Sequence, residues 1–213
     1  MPSETLLDCM SVGGGILLSP ETGVTCAHVF DGRYEGKPVK ALFSGREYRL
    51  EVIGIDDKSD IAVFSITPPA TSSCVSPKSD QNPIVGQPVR VVGFPLPGVI
   101  VDKSPSVTGG IVSGINRSIL CDGERIDSLI QVDAVASDGN SGGPVTTVDG
   151  QVIGMVVFAA TGPKAEWRGA TFAIPINTVE LVAQEIIKKA SDEITAASKE
   201  MSGPSSVKDL ITK

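Results

Sequence analysis

The chain has 213 residues, a net charge of −7, 23 glycines, 15 prolines, four cysteines and one histidine. An acidic balance argues against a nucleic-acid binder, because phosphate contacts need a cationic face. A lone histidine and four scattered cysteines (Cys9, Cys26, Cys74, Cys121) argue against a metal centre, and no apolar run approaches the roughly 18 residues of a membrane span.

The N-terminal stretch to Gly15 lacks a charged segment followed by an apolar run, so no signal peptide is expected. With Met1 as the native start the protein is expected in the cytoplasm; with a targeting segment already removed, in the periplasm or an organelle. The cysteines are expected to be mostly buried free thiols. No cofactor is expected.

Short β-prone runs separated by turn residues then follow one another closely. Gly15 to Leu18 runs into the turn Ser19-Pro20-Glu21-Thr22-Gly23, after which Val24-Thr25-Cys26 resumes. Val39 to Phe43 and Glu47 to Ile55, joined by Ser44-Gly45, read as a hairpin. Ile61 to Ile66 is a buried strand, and the Ser/Pro-rich stretch from Pro69 to Asn82 reads as a linker. A second set of strands comprises Pro88–Gly93, Ser106–Ile115, Leu129–Val132, Gly143–Thr146, Val152–Phe158 and Ala170–Ile174, with Asp149-Gly150 as a hairpin turn. Two clusters of about six strands predict two packed β-barrels. Asn177 can cap a helix in which Val179, Val182, Ile186, Ile187, Ala190 and Ile194 recur at helical spacing. That helix is expected to pack on the second barrel and run on into solvent. The resulting division is an N-terminal arm (1–11), a first barrel (12–78), a second barrel (79–176), the helix (177–201) and a mobile tail (202–213).

The string Asp138-Gly139-Asn140-Ser141-Gly142-Gly143-Pro144 is the most informative. Glycines flanking a serine let a substrate carbonyl approach the backbone closely. The amides of Gly139 and Ser141 can then point into one pocket, an oxyanion hole worth about 3–4 kcal/mol per donor. The bland alternative is a glycine-rich loop with an incidental serine. A serine nucleophile needs a base, and His28 supplies the only imidazole, at the end of the run Val24–Ala27. An orienting carboxylate must come third. Asp31, Asp56, Asp57 and Asp60 are candidates; Asp60 is favoured because it directly precedes the most apolar strand, where burial strengthens its hydrogen bond. Gly139 to Gly143 also fits G-x-S-x-G, but an α/β-hydrolase needs a histidine after the serine, and none follows Ser141.

The ordered set of motifs resembles the trypsin-like peptidase domain of the HtrA (Deg) family in the chymotrypsin clan. The pieces are Gly13 to Pro20, Thr25 to Val29, Gly45-Arg46-Glu47-Tyr48, Ser59 to Val63, Val107 to Ser113, Gln131 to Ala134, Gly139 to Pro144, Gly150 to Gly154 and Phe172 to Asn177. The resemblance implies an all-β, chymotrypsin-like double six-stranded β-barrel with a C-terminal helix and the site in the cleft between barrels. It implies Ser141 as nucleophile, His28 as base and Asp60 as orienting acid. It further implies an extended polypeptide substrate paired with the strand Val156–Ala159 (Val156, Val157, Phe158, Ala159) and an S1 pocket near Val135-Ala136 and Phe158-Ala159. Those apolar residues predict a small or medium aliphatic P1 residue. Asp138 stands where many members carry proline, a peptidase unit without a PDZ domain is expected, and homo-oligomerisation is left open. The expected activity is endoproteolysis of unfolded or misfolded protein, and the alternative is a latent, chaperone-like binding module on the same fold.

Overall fold

The computed structural model describes residues 13–30, 39–43, 46–70, 82–95, 104–121, 124–159 and 169–201. The first half supplies β1 (Ile16–Leu17), β2 (Thr22–Cys26), β3 (Val39–Phe43), β4 (Arg46–Asp56) and β5 (Ile61–Thr67), all antiparallel neighbours in the order β1-β2-β5-β4-β3. The second half supplies β6 (Pro88–Gly93), β7 (Ser106–Cys121), β8 (Glu124–Val132), β9 (Pro144–Thr147), β10 (Val152–Ala159) and β11 (Thr171–Pro175), which close into a barrel in the order β10-β11-β8-β7-β6-β9. A single helix, α1 (Ile176–Met201), ends the described chain. The all-β architecture with a C-terminal helix is thus as expected. The first sheet has five strands among the described residues, and the barrel has six.

Alternation along the strands explains the layering. In β5, Ile61 and Val63 face one core while Ala62, Phe64 and Ile66 face another, the period of two that a pleated strand imposes. The second set joins Phe30, Tyr48 and Leu50 inside the first sheet. The barrel interior is filled by Val89, Val91, Val112, Ile130, Val132, Val145, Ile153 and Val156. Between them lies a shared core, in which Ile16, Val24, Cys26, Ile61 and Val63 meet Leu129, Met155, Val157 and Ile174. Each fully buried aliphatic there contributes about 1.5–3 kcal/mol.

Three local expectations change. Strands β7 and β8 extend beyond the predicted runs to form one long hairpin, Ser106–Cys121 with Glu124–Val132. Asn177 lies inside the first turn of α1, which starts at Ile176 directly after Pro175; the apolar anchor Ile176, 2% exposed, rather than a polar cap, sets where the helix begins. The helix also packs on β4 and β5 as well as on β10 and β11, so it covers both sheets and not the barrel alone. Ile176, Val179 and Ala183 enter the shared core. Gly54 on β4 permits the approach, since a β-carbon there would fall 2.6 Å from Ile186 Cγ2. The linker at 71–81, the Ser44-Gly45 turn and the arm and tail (1–12 and 202–213) lie outside the described residues.

Candidate active site

Strand β2 ends at Cys26 and the chain winds into a 3-10 turn, Ala27–Phe30, which lifts His28 to the rim with about half its side chain exposed (49%). Asp60 closes the tight turn between β4 and β5 with a positive φ of 55°, a conformation uncommon for a residue with a side chain. Asp56 builds that turn: its carboxylate accepts the Ser59 amide at 3.2 Å and also the Ser59 hydroxyl. The choice of Asp60 over Asp56 therefore has a physical basis, because Asp56 is spent on the turn that presents Asp60.

Asp60 holds the histidine segment at three points. Its backbone carbonyl accepts the Ala27 amide at 3.1 Å. Oδ1 accepts the His28 amide at 2.9 Å, and Oδ2 lies 2.7 Å from His28 Nδ1. The Nδ1 contact orients the ring and the amide contact anchors the backbone beside it, and in a neutral imidazole an Nδ1–H would donate to Asp60.

The loop bearing Ser141 lies against β2. The Gly14 amide donates to the Ser141 carbonyl at 2.7 Å, and the buried Thr25 hydroxyl donates to the Gly14 carbonyl at 2.7 Å. A β-carbon on Gly13 would meet Val29 Cγ2 at 2.7 Å and the Ser141 carbonyl at 3.0 Å, so the residue after His28 and the half-buried serine flank the same glycine. Within the loop, the Asn140 amide donates to Ser137, Gly142 to Val156 and Gly143 to Asn140. The amides of Gly139 and Ser141 donate to no acceptor among the described residues. Gly139 and Ser141, the two expected oxyanion donors, are thus among the amides of this loop without a backbone acceptor in the described residues. Gly142 has φ of 82°, and a β-carbon there would fall 2.2 Å from Thr25 Oγ1. Only glycine fits.

The expected substrate contacts are redistributed. Val156 is 1% exposed in the barrel core. Its amide donates to the Gly143 carbonyl at 2.9 Å, and its carbonyl accepts the Gly142 amide at 2.8 Å and the Cys26 thiol at 3.2 Å. Val156 therefore has no backbone group left for a substrate strand and instead holds the serine loop. Strand β9 pairs with Val152 to Met155 only, so the same edge of β10 is unpaired by β9 from Val157 to Ala159. The Val157 side chain is buried in the shared core. Phe158 and Ala159 pair with Phe172 and Thr171 on the opposite edge, and their side chains lie outside the described residues. Ala136 is nearly buried, whereas Val135 is 64% exposed, with its carbonyl held by the Thr108 hydroxyl at 2.7 Å.

Sequence reasoning missed Thr25 and Cys26, whose contacts depend on the fold. Cys26 is a buried free thiol, as expected of the cysteines. Its sulfur, a His28 ring nitrogen and an Asp60 oxygen lie within 4.8 Å of one another. Burial first, then the negative charge of Asp60, push the Cys26 thiol well above its ordinary pKa; the Gly142 amide acts in the opposite sense. A protonated thiol beside a 2.7 Å histidine–carboxylate pair suits hydrogen bonding rather than metal ligation, since zinc needs a thiolate and bonds of about 2.0–2.3 Å to each ligand. No described helix is long and apolar enough to cross a membrane.

Residues 13–155 match the family model described as a trypsin-like peptidase domain. The chain is 32% identical over 188 residues to the serine protease Do-like HtrA of Bacillus subtilis, covering 85% of this chain and 40% of that protein. Among solved structures, the serine endoprotease of Yersinia pestis superposes with a TM-score of 0.67 at 26% identity, covering 83% of this chain and 57% of that one. The HtrA-type protease AlgW with decapeptide gives a TM-score of 0.67 at 29% identity, covering 84% and 52%. The chain thus spans well under two thirds of the length of each of these relatives.

Proposed function

The chain belongs to the trypsin-like peptidase family, and from that premise we propose that it is a serine endopeptidase acting through Ser141, His28 and Asp60. The observation that carries the reading is the bidentate hold of Asp60 on His28, through Nδ1 and the backbone amide at once. In the proposed reaction Ser141 Oγ attacks the scissile carbonyl as its proton passes to His28 Nε2. The negative charge collects on the former carbonyl oxygen, facing the amides of Gly139 and Ser141. His28 then hands the proton to the leaving amine, and an acyl group remains on Ser141. A water molecule, deprotonated by His28, releases the acyl group and restores the serine. Asp60 stays ionised throughout and stabilises the imidazolium.

The substrates proposed are unfolded or misfolded polypeptides, bound as an added strand along the β10 edge from Val157 to Ala159. Val135, Ala136, Phe158 and Ala159 are proposed to line S1 and to favour a small or medium aliphatic P1 residue. The cleft is proposed to lie between the unit 12–78 and the barrel that follows it, with α1 (Ile176–Met201) outside it.

Cleavage of casein or a denatured protein by wild type and Ser141→Ala tests the reading, together with labelling by a serine-directed phosphonate. Wild type is expected to cleave and to be labelled at Ser141, and the alanine variant to do neither. Equal cleavage by the two, with no labelling, would refute the reading. A peptide library with strong preference for P1 arginine would overturn the assignment of S1.

A further inference from the structure

Consecutive strand residues point to opposite faces, and Thr25 and Cys26 are the last two residues of β2, three and two positions before His28. Both are buried, at 3% and 0% exposure. Thr25 reaches the Gly14 carbonyl, and the Gly14 amide reaches the Ser141 carbonyl. Cys26 reaches the Val156 carbonyl, which also accepts the Gly142 amide. The Ser141 carbonyl and the Gly142 amide belong to one peptide unit. That unit is therefore held at its two ends by adjacent side chains of the strand that leads to the base, Thr25 through the carbonyl and amide of Gly14 and Cys26 through the Val156 carbonyl.

We propose that Thr25 and Cys26 are positioning residues that clamp the Ser141–Gly142 peptide and so set the nucleophile in register with His28. The proposal rests on the serine endopeptidase reading and adds two residues to it. Neither touches substrate; both act through backbone. The geometry of the two halves demands such a device, because His28 and Asp60 come from the first sheet and Ser141 from a loop of the barrel. A misplacement of about 1 Å between base and nucleophile is enough to lower a rate severely. The charged and titratable groups beside the clamp are Asp60 and His28, which lie against Cys26. The facing residues Gly14, Gly142 and Val156 are uncharged. The protonated state of Cys26 keeps its S–H available as a donor.

The test compares an apolar replacement with a hydroxyl one at each position: Thr25→Val and Thr25→Ser, Cys26→Val and Cys26→Ser. Valine deletes the donor, matching threonine in shape at position 25 and exceeding cysteine by one methyl at position 26, whereas serine keeps a donor and loses apolar contact. Each valine variant is expected to lower kcat about fivefold to tenfold, from the loss of one hydrogen bond. KM should stay within about twofold, since the bond acts on the reacting atoms and not on substrate capture. Each serine variant should hold kcat closer to wild type than its valine counterpart does. At Thr25 the thermal midpoints should rank the other way, valine at or above serine. A purely structural role predicts the same ranking in both measurements, and that result would overturn the proposal. Amide hydrogen exchange at Gly142 gives a readout independent of turnover, expected to accelerate in the valine variants and not in the serine ones. If wild type neither cleaves nor labels, the enzyme reading fails, and exchange at Gly142 alone decides whether the clamp exists. Unchanged exchange in both valine variants would refute it.

Discussion

Gly142 and Gly150 provide a matched pair for testing whether the serine loop is held by close packing or only by backbone conformation. Both have positive φ, 82° and 90°. A β-carbon at Gly150 would meet nothing within 4 Å, whereas one at Gly142 would fall 2.2 Å from Thr25 Oγ1 and 2.5 Å from the Gly14 carbonyl oxygen. Alanine at either site carries the left-handed penalty of about 1–2 kcal/mol. At Gly142 the two contacts are a buried hydroxyl held to backbone and a backbone oxygen, neither free to step aside. Relief requires the loop to move by about 1 Å, breaking the Thr25–Gly14 and Gly142–Val156 hydrogen bonds at about 1 kcal/mol each. Gly142→Ala is therefore expected to lose about 3–4 kcal/mol and Gly150→Ala about 1–2 kcal/mol. Urea denaturation reads the stability difference, and the rate of phosphonate labelling at Ser141 reads the loop. Labelling should fall at least about a hundredfold in Gly142→Ala and stay near wild type in Gly150→Ala. Equal losses of stability with equal labelling in the two variants would show that packing against Thr25 and Gly14 does not hold the loop.

Asp60→Asn should lower kcat by about 10³–10⁴, the scale seen when an orienting carboxylate is neutralised in a serine protease triad; steady-state kinetics with KM near wild type checks it. Ile176→Ala is expected to cost about 2–5 kcal/mol because it opens the core shared by both sheets and the helix. Ile194→Ala, on the 69% exposed part of the same helix, should stay within about 0.5 kcal/mol in the same denaturation assay. The Cys26 thiol, raised by burial and by Asp60, binds its proton more tightly in the folded chain than in the unfolded one. That contribution is complete below the unfolded thiol's value and is lost as pH rises above it. Stability of wild type relative to Cys26→Val should therefore fall above about pH 9, by at most about 1.4 kcal/mol per unit. A pH-independent difference between the two would contradict the burial of the thiol beside Asp60. Peptide mapping after alkylation should find Cys26 unmodified in the native protein and modified after unfolding.

Much of this molecule was legible from local pattern. The nearly continuous apolar run 61–66 announces a buried strand, and β5 occupies that role between two cores. The runs 39–43 and 47–55 pair in the expected hairpin, with Val39 opposite Leu50 and Phe43 opposite Arg46. Asp149-Gly150 makes the turn its residues specify, the Gly150 amide reaching back to Thr147 at 3.1 Å. His28 and Ser141 stand out as candidates from short strings alone, the one imidazole after a β-run and a serine among glycines, whereas Asp60 is preferred in sequence only for its place before the most apolar strand. These features depend on side-chain period and backbone allowance, which are properties of a few consecutive residues.

Tertiary structure decided what depends on residues far apart in the chain. The helix has one apolar face by sequence, but only the meeting of the two sheets creates the seam that Ile176, Val179 and Ala183 fill. Val156 was expected to receive substrate, and its hydrogen bonds go instead to Gly142, Gly143 and Cys26, because the serine loop lies against β10 at this position. Asp56 and Asp60 are four residues apart and chemically alike; the turn between β4 and β5 gives one to Ser59 and the other to His28. Thr25 and Cys26 carry no signal in isolation, since a threonine and a cysteine in a strand are ordinary packing residues. They acquire a role only when Gly14 and Val156, 11 and 130 positions away, are brought against them. Sequence determines which groups can do chemistry, while the fold determines which of their hydrogen-bond partners are already taken.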